Sequence, residues 1–376
     1  MLNRRTLRIK IMQSLFAFEQ CKEANYQLSL DQIEEHFQPD LNSMEFQDKD
    51  LLKGQRKLAR QLLEKKFVKK DVSETDDATV NAAVKESLSV YQKSVKKDNT
   101  FFSKNMILEV EKLNDLYLSI LALLVALAET AATDKKLNYK NFVENVGIQS
   151  LMDNQELTKA LLKGNGNWSS RQELVRDWFR EVIKNDDDFL KYNELKSPSR
   201  EEQKSLLKHI VRKLVLGKTM INDYFEEEDM RWAEDKEIVK SLVEKTIKSL
   251  NEEGKIEIQK LSLDWEDDRE FMKRLFQEAI DLDEKHKELI SQNTKNWEVD
   301  RLPLTDRVIL EMAIAELIGF PNIPVKVSIN EYIELAKHYS TPKSRQFING
   351  ILDVIAKELK TSGALKKSGR GLIDNK

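Results

Sequence analysis

Residues 302–359, LPLTDRVILEMAIAELIGFPNIPVKVSINEYIELAKHYSTPKSRQFINGILDVIAKEL, decide how the chain folds. Leu302-Pro303 opens a helix with Ile309, Met312, Ala313 and Leu317 on one face, and Pro321-Asn322-Ile323-Pro324 ends it with a turn. Ile329, Tyr332, Ile333, Ala336 and Tyr339 form the stripe of a second helix. Thr341-Pro342 then reads as an N-cap with proline at the first helical position, where its missing N–H costs nothing. A third helix carries Ile348, Ile351, Leu352, Ile355 and Leu359. Asn349-Gly350 is by itself a hairpin signal, but the apolar spacing across it is 3 and 4, which selects the helix. A glycine inside a helix costs about 1 kcal/mol relative to alanine, so Gly350 implies another helix or a ligand close to the backbone.

Outward from this stretch, composition says the same. The chain has 376 residues, room for two or three domains, with 34% charged and 40% hydrophobic side chains. Only 11 glycines and 6 prolines argue against Gly-rich nucleotide folds, sandwiches and barrels, and predict an all-α protein. The single cysteine, Cys21, can form no intramolecular disulfide, consistent with a reducing, cytoplasmic setting. No signal peptide is read in MLNRRTLRIKIMQSLF. The most apolar stretch, LYLSILALLVALA from Leu116, falls short of the roughly 20 residues that span a bilayer and predicts a buried core helix with no membrane partner.

The net charge is −3, so no global basic field advertises nucleic acid, but the charge is uneven. Residues 1–22 carry five basic side chains against Glu19, and residues 343–376 carry eight against three acidic, while 226–237 (EEEDMRWAEDKE) holds seven acidic residues. A basic patch on a near-neutral chain can bind a polyanion. Breaks are expected at Gln38-Pro39-Asp40, ending a first helical pair, at Lys70–Asp77, at Asp98-Asn99-Thr100, and at Lys163–Ser170, whose serines could cap the next helix. Ser199 and Glu202 have capping-box spacing. WAEDK at 232 and WEVDR at 297 suggest a degenerate repeat. The tail after Thr361 has too little apolar content to pack and predicts disorder.

Residue patterns point to no catalysis. His36, His209, His286 and His338 lack a partner at metal spacing, Asp186-Asp187-Asp188 lacks the rest of a calcium loop, and no phosphate-binding glycine motif is present. No enzyme activity, metal or cofactor is expected. The first helix is more informative. Arg4, Arg5, Arg8 and Lys10 precede Met12, Leu15 and Phe16, so one side can pack while the other presents guanidiniums, whose forks suit phosphate oxygens. A solvated basic helix is the plain alternative.

RRTLRIKIMQSLFAFEQ, WEVDRLPLTDRVILEMAIAEL, IPVKVSINEYIELAKHYS and SRQFINGILDVIAKEL together resemble the NusB family of transcription antitermination factors, over roughly residues 3–20 and 268–359. The resemblance implies a pair of small helical bundles, here with an additional helical insertion: a basic N-terminal helix (1–23), an insertion or extended bundle (24–198), a helical hairpin that is the possible repeat (199–265), a C-terminal bundle (266–360) and a basic tail (361–376). It implies RNA of the boxA type in ribosomal RNA leaders as ligand, a small-subunit ribosomal protein (NusE) as partner, and the RNA polymerase antitermination complex as setting. Arg4, Arg5, Arg8 and Lys10 match the family's basic amino end, and Phe347, beside Lys343, Arg345 and Gln346, matches an aromatic that can stack on a base or, alternatively, pack in the core. These two groups are expected to share one surface. Glu311 and Ala315 stand where relatives carry a basic and an aromatic residue, and Lys343 where an acid is frequent. Glu311 facing RNA would repel phosphate. Two other functions stay open: a protein scaffold that has lost RNA binding, and an RNA-modifying enzyme, for which no cofactor or catalytic cysteine motif is present.

Overall fold

The computed structural model describes the chain except residues 1, 45, 70–71, 135–137, 164–165, 294–301 and 376. Among the described residues there is no strand. The first helices are α1 (Arg4–His36), α2 (Lys49–Val68) and α3 (Ala78–Thr133). Eight shorter ones follow: α4 (Lys140–Val143), α5 (Val146–Met152), α6 (Gln155–Lys163), α7 (Gln172–Trp178), α8 (Asp187–Glu194), α9 (Arg200–His209), α10 (Thr219–Glu228) and α11 (Trp232–Lys248). The last are α12 (Trp265–Ile280), α13 (Glu284–Asn293), α14 (Leu304–Gly319), α15 (Val325–Tyr339) and α16 (Ser344–Thr361). The chain divides into two compact units, one of Met1–Leu7 with Leu108–Asp268, the other of Arg8–Ile107 with Arg269–Lys376.

The first unit is organised around the C-terminal half of α3. That helix is long and apolar enough to cross a membrane by length and composition. Its apolar stretch instead packs inside protein: Leu116, Tyr117, Ile120, Leu121, Leu123, Leu124, Leu127 and Ala128 are all buried, and side chains of α4 to α11 join the same core. A helix that is apolar all round must be covered on every side, which is why so many short helices surround it. Polar ties fix their register. Trp168 Nε1–H donates to the Ser119 carbonyl at 2.8 Å. Thr246 Oγ1 donates to the Leu242 carbonyl, so the Tyr117 hydroxyl donates to Thr246 Oγ1 at 2.5 Å and accepts the Gln259 N–H at 2.9 Å. The capping box forms as its spacing predicts, with Ser199 N–H on Glu202 Oε2 at 2.7 Å.

The second unit holds two hydrophobic groups. In one, Leu30 and Ile33 of α1 and Phe37 just beyond it meet Leu62 and Leu63 of α2 and Val80 and Val84 of α3. The other is the C-terminal bundle, where α14, α15 and α16 pack on one another and α13 packs on α14 and α16. All five apolar positions read for the third helix are buried, as are Ile329, Tyr332 and Ala336 of the second. In α14 burial goes beyond one stripe. Val308, Ile309, Leu310, Met312, Ala313, Ile314, Ala315, Glu316 and Leu317 are all interior, making α14 the central helix.

Several local expectations are corrected. The first helical pair is one 33-residue helix, α1. Asp98-Asn99-Thr100 does not break α3, because Asp98 accepts from Asn25 Nδ2 at 2.7 Å and Thr100 Oγ1 turns back to the Lys96 carbonyl at 3.0 Å. After the polar stretch at 163–170, Asn167 Oδ1 accepts the Ser169 N–H in a local turn, and α7 starts with Arg171 at its N-cap and no side-chain cap, so the serines do not cap it. The tail folds back rather than standing free: Lys367 Nζ donates to the Phe320 carbonyl at 3.0 Å and Ser368 N–H to the Pro321 carbonyl at 3.0 Å. Backbone acceptors at the end of α14 supply what the tail lacks in apolar area. WEVDR at 297, and with it half of the suggested repeat, lies outside the described residues, as do Lys70 and Gly164.

Tyr117→Phe leaves the Gln259 N–H without its acceptor and should destabilise the first unit by about 1–2 kcal/mol, read as a lowered thermal unfolding midpoint by circular dichroism with the helical signal at low temperature unchanged.

Candidate nucleic-acid interface

The expected basic surface of the first helix is rearranged by the fold. Arg8 is 2% exposed and Lys10 1%. In the second unit, the Arg8 guanidinium makes a two-pronged ion pair with Glu316, Nε to Oε2 at 2.7 Å and Nη2 to Oε1 at 2.8 Å. Glu316 also accepts from Ser328 Oγ at 2.7 Å and from the Tyr332 hydroxyl at 3.0 Å. The guanidinium carbon lies 5.5 Å from the centre of the Phe271 ring and 5.9 Å from that of Tyr332, with Glu331 Oε2 at 3.8 Å. Burial by itself lowers an arginine pKa, but the hydrogen bonds and charge of Glu316 outweigh it, and Arg8 stays protonated. Tyr332 is shifted upward by burial and by the same carboxylate. Arg8 and Lys10 therefore leave the expected phosphate-binding set and belong to the interior.

Arg4 and Arg5 fall in the first unit. Both are half-buried. Arg4 is ion-paired with Asp267 and, at 3.2 Å, with Asp268, so a phosphate reaching it must replace a carboxylate. The C-terminal group fares differently. Lys343, Arg345 and Gln346 are exposed at the start of α16 and Phe347 is half-buried beside them. Arg4 and Arg5 lie in one unit and residues 343–347 in the other.

A buried polar knot holds the start of α16. Asp306, in the first turn of α14, is 2% exposed and accepts from Ser340 Oγ and, at 2.6 Å, from Ser344 Oγ. Thr341 Oγ1 accepts the Ser344 N–H at 3.3 Å. Pro342 and Lys343 nevertheless form a turn and α16 begins at Ser344 with Lys343 at its N-cap, so Thr341 and Pro342 do not take the expected N-cap and first helical positions. Lys343 and Arg345 lie at the N-terminal, positive end of the α16 dipole, which favours an anion. Gly350, one turn beyond Phe347, has open space where a Cβ would be, and no helix approaches it. Of the two causes expected for this glycine, packing against another helix is overturned.

Glu311 lines a cavity of about 520 Å³ with Ile290, Leu302, Leu304, Lys287 and Arg307. Burial pushes its carboxyl above the ordinary value of 4.5, with Arg307 opposing the shift. Sequence reasoning missed Glu316, Asp306 and Ser344. A glutamate inside the apolar run of α14 was the available signal, because a buried acid needs a cation.

The family model described as "NusB family" matches residues 233–357, which includes α14 to most of α16 and leaves the basic amino end outside. "Transcription antitermination protein NusB" of Salinibacter ruber is 46% identical over 105 residues, 28% of this chain and 66% of that protein. The protein of the same name in Chloroherpeton thalassium is 51% identical over 85 residues, 23% of this chain and 40% of its own length. That of Koribacter versatilis is 44% identical over 94 residues, 25% and 64%. The chain thus spans less than two thirds of the length of each of these relatives. No solved structure matches.

Two outcomes follow. Glu316→Ala should cost about 3–5 kcal/mol by leaving Arg8 buried with only the longer contact to Glu331, whereas the double replacement Arg8→Met/Glu316→Leu should lose far less, read by thermal unfolding in a double-mutant cycle. For Glu311, a folded pKa above the unfolded one means the native state binds the proton more tightly, so stability falls as pH rises from about 4.5 through the raised value. Glu311→Gln should therefore be more stable than the parent at pH 7, with the difference vanishing as pH drops below 4.5.

Proposed function

We propose that the chain, whose residues 233–357 match the NusB family model, is a transcription antitermination factor that binds RNA and protein rather than a catalyst, and that it acts in the cytoplasm. The observation that carries this is the family match over α14 to α16, together with relatives of that printed name at 44–51% identity. The RNA is a single-stranded element of the boxA type in ribosomal RNA leaders, and the protein partner a small-subunit ribosomal protein, within the polymerase antitermination complex. Lys343 and Arg345 contact phosphate at the start of α16, Gln346 offers hydrogen bonds to base edges, and Phe347 stacks on a base. The open space at Gly350 admits the sugar-phosphate chain close to the helix backbone. Arg4 and Arg5 supply phosphate contacts of their own, Arg4 by exchanging its carboxylate partners.

A second reading, a scaffold of the same fold without RNA binding, is favoured by one observation: Arg8 and Lys10 are buried, which removes two of the expected cations from reach.

Fluorescence anisotropy of a boxA-type RNA, with and without the ribosomal protein and at two salt concentrations, separates the readings. Lys343→Ala/Arg345→Ala should weaken binding and lower the salt slope by about 0.7 per cation removed. Phe347→Ala should cost about 1–3 kcal/mol with the slope unchanged. Arg8→Lys should alter stability far more than the salt slope. Absence of RNA binding by the intact, folded chain in every combination would leave the scaffold.

A further inference from the structure

Within the second unit, one exposed face of α3 concentrates positive charge. Between Lys93 and Lys104 the sequence KSVKKDNTFFSK holds four lysines and one acid. Lys93, Lys96, Lys97 and Lys104 are all exposed, and together with Phe101 they fall within an arc of about 140° around the helix. None of the four has an acidic residue three or four places away in either direction. Elsewhere the helices pair their cations at that spacing, as Arg60 with Glu64, Lys204 with Glu201, Lys240 with Glu237 and Arg274 with Glu278. Among the described residues no carboxylate lies within ion-pair reach of the four lysines. Asp98, the one acid of the stretch, is taken by Asn25 of α1. Lys93 and Lys97, one turn apart, repel each other, a cost the helix bears with no partner in the fold to offset it.

Phe101 stands on this face at 56% exposure, and its ring is held from behind. It meets Phe102 edge-on at 5.2 Å, and Phe102 in turn meets the buried Phe18 of α1 at 6.4 Å. A fixed aromatic ring among ammonium groups is the combination that single-stranded nucleic acid uses, with a base on the ring and phosphates on the cations. The other large apolar side chains exposed on α3, Val90 and Leu108, lie about three and two turns from Phe101 and are too scattered to enter a lipid surface. We propose that this face of α3 is a second RNA-binding surface, on which Lys93, Lys96, Lys97 and Lys104 contact phosphates of a single strand and one base stacks on Phe101. The four lysines span roughly 16 Å of helix axis, room for a few nucleotides. The inference rests on the reading that the chain binds RNA, and adds to the contacts of residues 343–347 a set from a helix that the family match leaves outside.

Fluorescence anisotropy of the full chain tests this, using a boxA-type RNA extended at both ends by unstructured nucleotides, at several salt concentrations. Lys93→Gln/Lys97→Gln/Lys104→Gln, which alters only exposed side chains, should weaken binding and lower the salt slope by about 2, at roughly 0.7 per cation removed. Phe101→Ala should weaken binding about tenfold with the slope unchanged. The control Lys204→Gln/Lys240→Gln/Lys255→Gln removes the same charge from lysines already paired with Glu201, Glu237 and Glu253, and should leave the slope as it was. Circular dichroism checks that each variant is as helical as the parent. Binding that the α3 triple variant leaves unaltered, while Lys343→Ala/Arg345→Ala weakens it, overturns this surface and leaves the RNA reading standing. A slope that falls equally in the control is an effect of net charge and also overturns the surface. So does unchanged affinity in Phe101→Ala, since cations without a stacked base would serve any polyanion. No RNA binding by the intact chain overturns the surface and the RNA reading together.

Discussion

The C-terminal bundle depends on one interaction, the ion pair between Arg8 and Glu316, made across 308 residues of chain in an interior where Glu316 is fully buried. Two charges out of water are tolerable only if every lone pair and proton is used. Here Glu316 accepts from both prongs of Arg8, from Ser328 and from Tyr332, while Phe271 and Tyr332 flank the cation. The pair gathers α1, α12, α14 and α15 around one point, and so couples the amino end of the chain to its last hundred residues. Apolar packing could hold these helices at several registers. A two-pronged pair with two hydroxyl donors permits one.

The same logic recurs at the start of α16. Asp306 is buried yet satisfied by two serine hydroxyls, and by holding Ser340 and Ser344 it fixes the turn from which Lys343 and Arg345 project. Exposed functional side chains are useful only when their backbone is held, and here a buried carboxylate does the holding. In the first unit the constraint is of another kind. The apolar half of α3 has no polar face to leave in water, so α4 to α11 cover it, tied by Trp168 and Tyr117.

Legibility followed the physics of each element. The three helices of 302–359 and their apolar stripes could be read because a 3.6-residue period is local, and the capping box at Ser199 because both of its hydrogen bonds lie within four residues. Asp98-Asn99-Thr100 has the turn preference of a break, yet Asn25 and the Lys96 carbonyl offer these residues partners within the helical path. The tail misled for a similar reason: composition registers missing apolar area but not the carbonyls at Phe320 and Pro321 that receive it. For the candidate interface, Lys343, Arg345 and Gln346 are exposed as their polarity implies. Arg8 and Lys10 have the same polarity and are buried.

By itself, then, the amino-acid sequence determined the all-helical class, the positions and inner faces of the C-terminal helices and, through the motifs they carry, the resemblance to the NusB family over residues 233–357. Each depends on residues within a few turns of one another, where propensity and periodicity act directly. Only the tertiary structure decided which cations face water. A helix period says that Arg4 and Arg8 share a side, but not what that side meets, and an arginine is stable inside a protein or outside it according to whether a carboxylate from a distant segment is there to receive it.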